Sequence, residues 1–158
     1  MSPIGIDNDT IKKYHIIGAG RRNAGCYKCG SMDRERLIWL FLIKELCITE
    51  KLNQNILHIA PERPISDKLR SIGFDSYICG DLHAEGYEKH YPDYVQNVDV
   101  MNLKFVDESF DLIICNHVLE HVSDDAIALQ NLFRVLRHGG RAILQVPISW
   151  NIKKTIED

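Results

Sequence analysis

The chain has 158 residues, 45% of them hydrophobic and 26% charged, proportions that fit one globular domain with its own core and exclude a disordered tract. Its 19 Lys and Arg against 22 Asp and Glu leave a formal net charge of −3, without the basic excess of a dedicated nucleic-acid binder. The most apolar stretch, Leu37 to Ile43, is flanked by Glu35, Arg36 and Lys44 and is far shorter than the roughly 20 residues that span a bilayer; the first residues show no basic segment leading into an apolar one, so a soluble, cytoplasmic protein with no membrane partner is expected.

In chain order, residues 1–32 read as an irregular arm rich in Gly, Arg and Asn that ends on Cys26-Tyr27-Lys28-Cys29. From Asp33 to about Leu52 the spacing of Leu37, Leu40, Phe41, Lys44 and Ile48 predicts a helix, with Ser31 and Asp33 as N-cap chemistry. Asn55 to Ala60 predicts a strand, Pro64 to Ile72 a helix closed by Gly73, and Asp75 to Gly80 a second strand ending on Asp81. His83 to Tyr94 reads as a loop or short helix. The nearly continuous apolar run Phe110 to Cys115 predicts a strand at the centre of a parallel sheet. Asp124 to Leu136 predicts a helix with Ala126, Leu129, Leu132, Phe133 and Leu136 on one face; His138-Gly139-Gly140 ends it, and Arg141 to Val146 is a last strand stopped by Pro147. Strands alternating with helices imply an α/β fold with crossover connections. Cys47, Cys79 and Cys115 lie in apolar runs and read as small buried hydrophobes of a reducing compartment.

In such a sheet ligands bind beyond the carboxyl ends of the strands, where the strand order reverses. The segments to weigh are therefore His58-Ile59-Ala60-Pro61-Glu62-Arg63, the acid Asp81, the acid Asp99 in Asn97-Val98-Asp99-Val100, and Asn116 to Val122. Asp81 stands about 20 residues beyond the first loop, the spacing at which a carboxylate takes hydrogen bonds from the two hydroxyls of a bound ribose; a carboxylate suits the role because it only accepts. Asp99, at a strand edge, is placed to accept from an adenine amine. Glu120 reads as a charge at a helix start, and His117 and His121 as satisfied or surface histidines with a general-base role as the alternative. Cys26 and Cys29 read as a turn with two thiols, with a zinc pair as the lesser alternative because a structural zinc needs four ligands.

Two blocks, Asp107 to Val122 (DESFDLIICNHVLEHV) and Phe133 to Pro147 (FRVLRHGGRAILQVP), resemble class I S-adenosylmethionine-dependent methyltransferases, in the branch that acts on small molecules; the resemblance runs from Asn55 to Ile148. It implies a Rossmann-like three-layer sandwich over residues 33–158 with a mainly parallel sheet, short of the strand pair that closes the full fold, and S-adenosylmethionine as cofactor. It further implies that Asp81 holds the ribose with Leu82 on the adenine, that Asp99 takes the adenine amine while Val100 offers its backbone N–H, and that Asn116 and His117 lie under the methionine part. The backbone at Ala60 would meet the amino-acid end. Where the family reads acid-x-Gly-x-Gly-x-Gly, this chain has His58, Ala60, Glu62 and Pro64; Pro61 and Pro64 stiffen the loop, and Glu62 stands in for the missing acid as partner of the cofactor ammonium. The implied reaction is methyl transfer to a small-molecule, sugar or lipid acceptor, in which alignment matters more than any one catalytic side chain. The alternative is a non-catalytic Rossmann-like binding or scaffold domain that has lost standard cofactor binding. The chain stops soon after the last predicted strand, so an exposed sheet edge covered by a second copy is expected.

Overall fold

The computed structural model describes residues 9, 12–13, 15–17, 24–83, 91–149 and 151. In chain order the elements are β1 (Ile16–Ile17), α1 (Asp33–Lys44), β2 (Asn55–Ile59), α2 (Arg63–Ile72), β3 (Ser76–Asp81), β4 (Val95–Asn97), β5 (Phe110–Asn116), α3 (Asp125–Val135), β6 (Leu136–Gln145) and β7 (Ile148–Ser149). Strands β2 to β6 form one sheet in the order β4-β3-β2-β5-β6 with every neighbouring pair parallel. β1 and β7 pair antiparallel in a separate two-stranded ribbon, an element the expected irregular arm did not foresee.

The alternation of side chains along a strand builds the layers. Leu57 and Ile59 of β2 and Ile113 and Cys115 of β5 pack with Ala128, Leu132 and Val135 of α3. Their neighbours Ile56, Leu112 and Ile114 pack on the other face with Ile38 and Leu42 of α1 and Ile65 and Leu69 of α2. β5 is buried on both faces, which is why it reads as an unbroken apolar run. The result is the expected three-layer α/β/α sandwich with a parallel sheet.

Two helix ends follow their sequence signals. Gly73 closes α2 in the left-handed conformation (φ 83°), and the Asp124 side chain caps α3, its Oδ1 accepting from the Ile127 N–H at 2.9 Å. Elsewhere the expectations need correction. α1 stops at Lys44 rather than near Leu52; Cys47 turns left-handed (φ 49°) and a short 3₁₀ turn, Ile48–Glu50, follows. The face α1 buries is Glu35, Ile38 and Leu42, while Leu37, Leu40 and Phe41 are exposed, because a helix that is apolar all round does not announce its inner side. α3 likewise buries Ala128, Leu132 and Val135, leaving Ala126 and Leu129 exposed and Phe133 82% exposed; Leu132 belongs to both stripes, so spacing alone did not choose between them. β6 begins directly at Leu136 instead of at Arg141, and a Cβ on Gly140 would fall 2.9 Å from the Arg137 carbonyl oxygen. Gly140 therefore permits close packing, while Gly139 turns left-handed (φ 79°) where the pairing with β5 jumps from Leu136 to Arg141, so the regular ladder runs from Arg141 as expected. β4, three residues long, carried no pattern and raises the sheet from four strands to five. Cys79 and Cys115 are buried as expected, and burial pushes the Cys115 thiol up to about 12; Cys47 is only half-buried. Residues 84–90 of the expected loop lie outside the described residues. No helix among the described residues is long and apolar enough to cross a membrane.

Candidate active site

The chain runs outward from β2 to β3 and β4, then returns to place β5 on the other side of β2. The strand order therefore reverses between β2 and β5, and the crevice at their carboxyl ends is the place where open α/β sheets bind ligands. The loop after β2 and the loop after β5 face each other there. Both open on a non-glycine residue in the left-handed region, Ala60 (φ 48°) and His117 (φ 55°), a conformation that costs an L residue about 1–2 kcal/mol. Neighbouring strands hold both in place: the Ala60 N–H donates to the Gly80 carbonyl and the His117 N–H to the Gln145 carbonyl, each at 2.8 Å.

Glu62 bridges the crevice. It is the N-cap residue of α2, its carbonyl accepting from the Ser66 N–H at 2.9 Å, but its side chain does not cap the helix. One carboxylate oxygen, Oε2, meets His58 Nε2 at 3.0 Å, and the other, Oε1, accepts from Asn116 Nδ2 at 3.2 Å. His58 Nδ1 meets the Tyr77 hydroxyl at 2.7 Å. A carboxylate only accepts, so His58 must carry a proton on Nε2; the Tyr77 hydroxyl, which both donates and accepts, answers Nδ1 whether the ring is neutral or charged. Burial acts to raise the Glu62 carboxyl, but the hydrogen bond and charge of His58, with Asn116 assisting, outweigh it and hold the group below its ordinary range. Burial drives the Tyr77 hydroxyl far upward, so it stays neutral.

Sequence reading counts His58, at the position of the family's acid, among the cofactor-binding residues, and this network places it behind Glu62 instead. His58 is 0% exposed with both ring nitrogens engaged, so its side chain acts on a ligand only by setting the position and charge of Glu62. Asn116 is 2% exposed and its Oδ1 has no partner among the described residues; a buried acceptor without a donor is costly unless a ligand supplies one. Glu120 lies in the first turn of the 3₁₀ helix Leu119–His121, as its reading as a helix-start charge expects, and its Oε1 also lies 3.3 Å from His117 Nδ1. His117 Nε2 and Gln145 Oε1 are also buried without a described partner. His121 is exposed.

The second half of the crevice is built on β3 and β4. Asp81 ends β3, half-buried, and burial raises its carboxyl above the ordinary range against the pull of the Leu82 backbone N–H and His83. Its carbonyl accepts from the Val98 N–H at 2.8 Å, which ties the strand end to the Asp99 segment. Leu82 is exposed at the rim, where its carbonyl accepts from the Tyr91 hydroxyl at 3.0 Å. Asp99 Oδ1 accepts from the Met101 N–H at 2.8 Å and starts the 3₁₀ turn Val100–Asn102. Asp99 is thus a cap first, with only its other oxygen unused by that turn; the Val100 side chain is in the core. The structure brings Ala60, Pro61, Glu62, Asn116 and His117 together at one crevice, with Asp81, Leu82 and Asp99 on the adjoining strand ends.

Tyr77 and Gln145 are the residues sequence reasoning missed. Tyr77 reaches His58 because the parallel register sets Ile56 beside Tyr77 and His58 beside Cys79, and nothing in the local sequence discloses that register. Cys26 and Cys29 lie in a separate turn before α1. Hydrogen bonds from the Ser31 hydroxyl and backbone and from Cys26 lower the exposed Cys29 thiol to about 7.

Residues 65–144 match the model of a family described as a methyltransferase domain. The ubiquinone/menaquinone biosynthesis C-methyltransferase UbiE of Vibrio vulnificus strain YJ016 is 34% identical over 97 residues, covering 61% of this chain and 30% of that protein. The enzyme of the same name from Vibrio cholerae El Tor Inaba N16961 is 33% identical over the same length, with the same coverage. The chain thus spans 30% of the length of these curated relatives. The crystal structure of a Bacillus halodurans C-125 protein named as a candidate methyltransferase superposes with a TM-score of 0.50 at 22% identity, over 65% of this chain and 49% of that one; at this identity the likeness concerns the fold.

Proposed function

From the premise that this chain belongs to the methyltransferase-domain family, we propose that it binds S-adenosylmethionine across the β2–β5 crevice and takes part in methyl transfer to a small-molecule, sugar or lipid acceptor. The observation that carries this reading is the Glu62 carboxylate, held by Asn116 Nδ2, next to an Asn116 Oδ1 that is buried without a partner among the described residues. Two acceptors side by side fit an ammonium group, which only donates. Asp81, raised by burial, gains from two hydroxyl donors what it lacks in water, and the exposed Leu82 offers an apolar surface for a base. The cofactor, when bound, supplies a methyl group already activated on a sulfonium. The chain's part is to fix the cofactor's two ends and to exclude water from the middle.

The acceptor is drawn from the branch the sequence resembles; the UbiE relatives, named for a C-methylation in quinone biosynthesis, fit a small organic acceptor. The rival reading, a domain without cofactor, draws on the glycine-free loop Ala60-Pro61-Glu62-Arg63-Pro64. Isothermal titration with S-adenosylhomocysteine separates the two. Saturable binding of one ligand per chain, together with a higher melting temperature, supports the proposal; no heat and no shift at millimolar ligand refutes it. We also propose that a second copy covers the β6 edge, which ends the described sheet. Sedimentation at micromolar concentration is expected to show a dimer, and a clean monomer overturns this.

A further inference from the structure

The first loop and the crevice leave one chemistry-bearing motif unused, Cys26-Tyr27-Lys28-Cys29-Gly30-Ser31. Its backbone is closed on itself: the Gly30 N–H donates to the Cys26 carbonyl and the Cys26 N–H to the Ser31 carbonyl, both at 2.8 Å. Gly30 takes the left-handed conformation (φ 70°) that this closure needs. The turn is then clamped from α1. Arg36 reaches back with Nη1 to the Ser31 carbonyl at 2.5 Å and Nη2 to the Ala24 carbonyl at 3.1 Å, and Glu35 Oε2 accepts from the Met32 N–H at 2.7 Å. Ser31, Ala24 and Glu35 are buried beneath it, while Cys29 is exposed and Cys26 half-exposed. Cys29 Sγ lies 3.0 Å from Ser31 Oγ, and the Cys26 thiol is also a hydrogen-bonding neighbour of Cys29. Two thiols are thus held together on the outer side of a turn whose backbone is fixed by other residues, so little freedom remains to be lost on binding a ligand.

We propose that Cys26 and Cys29 form a two-thiolate site for one soft d¹⁰ metal ion of low coordination number, with Cu(I) as its type. The donor set decides the class. Both donors are sulfur, which selects soft ions, and no third His, Cys, Asp or Glu among the described residues joins them. A structural zinc site wants four ligands, whereas Cu(I) is satisfied by two thiolates. The positive side chain of Lys68 acts on Cys29 and offsets part of the negative charge of a bis-thiolate complex. Binding releases whatever protons the two thiols still carry and moves no electron.

The test is an anaerobic titration of the reduced protein against the Cu(I)–bicinchoninate complex. Wild type is expected to withdraw one copper per chain and C26S/C29S none, while C47S, which removes a half-buried thiol from a different turn, still withdraws one. X-ray absorption at the copper edge of the wild-type adduct needs no variant and is expected to show two sulfur neighbours and no nitrogen or oxygen. The proposal is overturned if wild type leaves the copper with bicinchoninate, if C26S/C29S takes as much as wild type, or if the absorption spectrum shows nitrogen or oxygen in the first shell. Zinc binding without copper binding also overturns it.

Discussion

The two ends of the crevice are built on opposite principles. At the β2–β5 end, Glu62 is already answered by protein groups, His58 on one oxygen and Asn116 on the other, and its carboxyl is held below the ordinary range. At the β3–β4 end, Asp81 is half-buried with little to offset its desolvation, and its carboxyl is pushed up. The first end is organised by the protein's own groups; the second carries a desolvation cost that the donors of a ligand would offset. The proposed cofactor matches that asymmetry, with an ammonium for the organised end and hydroxyls for the unsatisfied one.

The largest expected effect comes from breaking the organised end. E62Q removes the charge facing the ammonium and leaves His58 with a poorer acceptor, so affinity for S-adenosylhomocysteine is expected to fall by about 10- to 100-fold, the value of a charge-assisted hydrogen bond. Affinity for 5′-methylthioadenosine, which has no ammonium, is expected to hold. Titration calorimetry on both ligands reads the difference, and an equal loss for both would place Glu62 outside the amino-acid end.

D81N tests the other end and should separate binding from stability. The variant is expected to bind S-adenosylhomocysteine about 10-fold or more weakly, yet to melt higher when free, because no ionised carboxyl is then desolvated. Differential scanning calorimetry with and without ligand shows both; a lower melting temperature for the free variant would contradict the cause assigned to the shift.

The same contrast predicts opposite pH dependences. Glu62, depressed, contributes stability above its unfolded pKa and loses it as pH falls through its lower folded value. Asp81, raised, costs stability while ionised, and that cost is relieved as pH falls through its raised value. Ligand binding to ionised Asp81 should therefore release protons in the window between its ordinary and raised values. Calorimetry in two buffers of different ionisation enthalpy detects the release, which D81N should abolish.

The smallest effects concern support. Y77F leaves His58 Nδ1 buried without its partner and is expected to cost about 1–3 kcal/mol in denaturant unfolding, with a lesser change in ligand affinity than E62Q. A60G relieves the left-handed strain (φ 48°) and should stabilise by about 1 kcal/mol, the strain removed less the entropy a glycine adds to the unfolded chain. If A60G instead destabilises, Ala60 packing outweighs its backbone.

How far the sequence disclosed this molecule depends on the kind of signal. The α/β alternation, the doubly buried β5 and the acid ending β3 were legible because each is written locally, in an apolar run or a residue at a strand end. The inner faces of α1 and α3 were not, since Leu37, Leu40 and Phe133 are as apolar as the residues that pack and only tertiary contact chooses between them. β4 was too short to show a period. The chain from Tyr77 through His58 to Glu62 depends on a parallel register between strands separated by α2, and the left-handed Ala60 and His117 are hidden because neither is glycine. Asp99 shows a different limit: an acid in a loop that caps a turn, as Asp99 does, and an acid that holds a ligand look the same in sequence.

The most direct test is a crystal structure of the chain soaked to saturation with S-adenosylhomocysteine. Density spanning the β2–β5 crevice, with the amino-acid end on Glu62 and Asn116 and the ribose hydroxyls on Asp81, is the predicted result. An empty crevice under saturating ligand, or density bound elsewhere with Asp81 and Glu62 untouched, would contradict it.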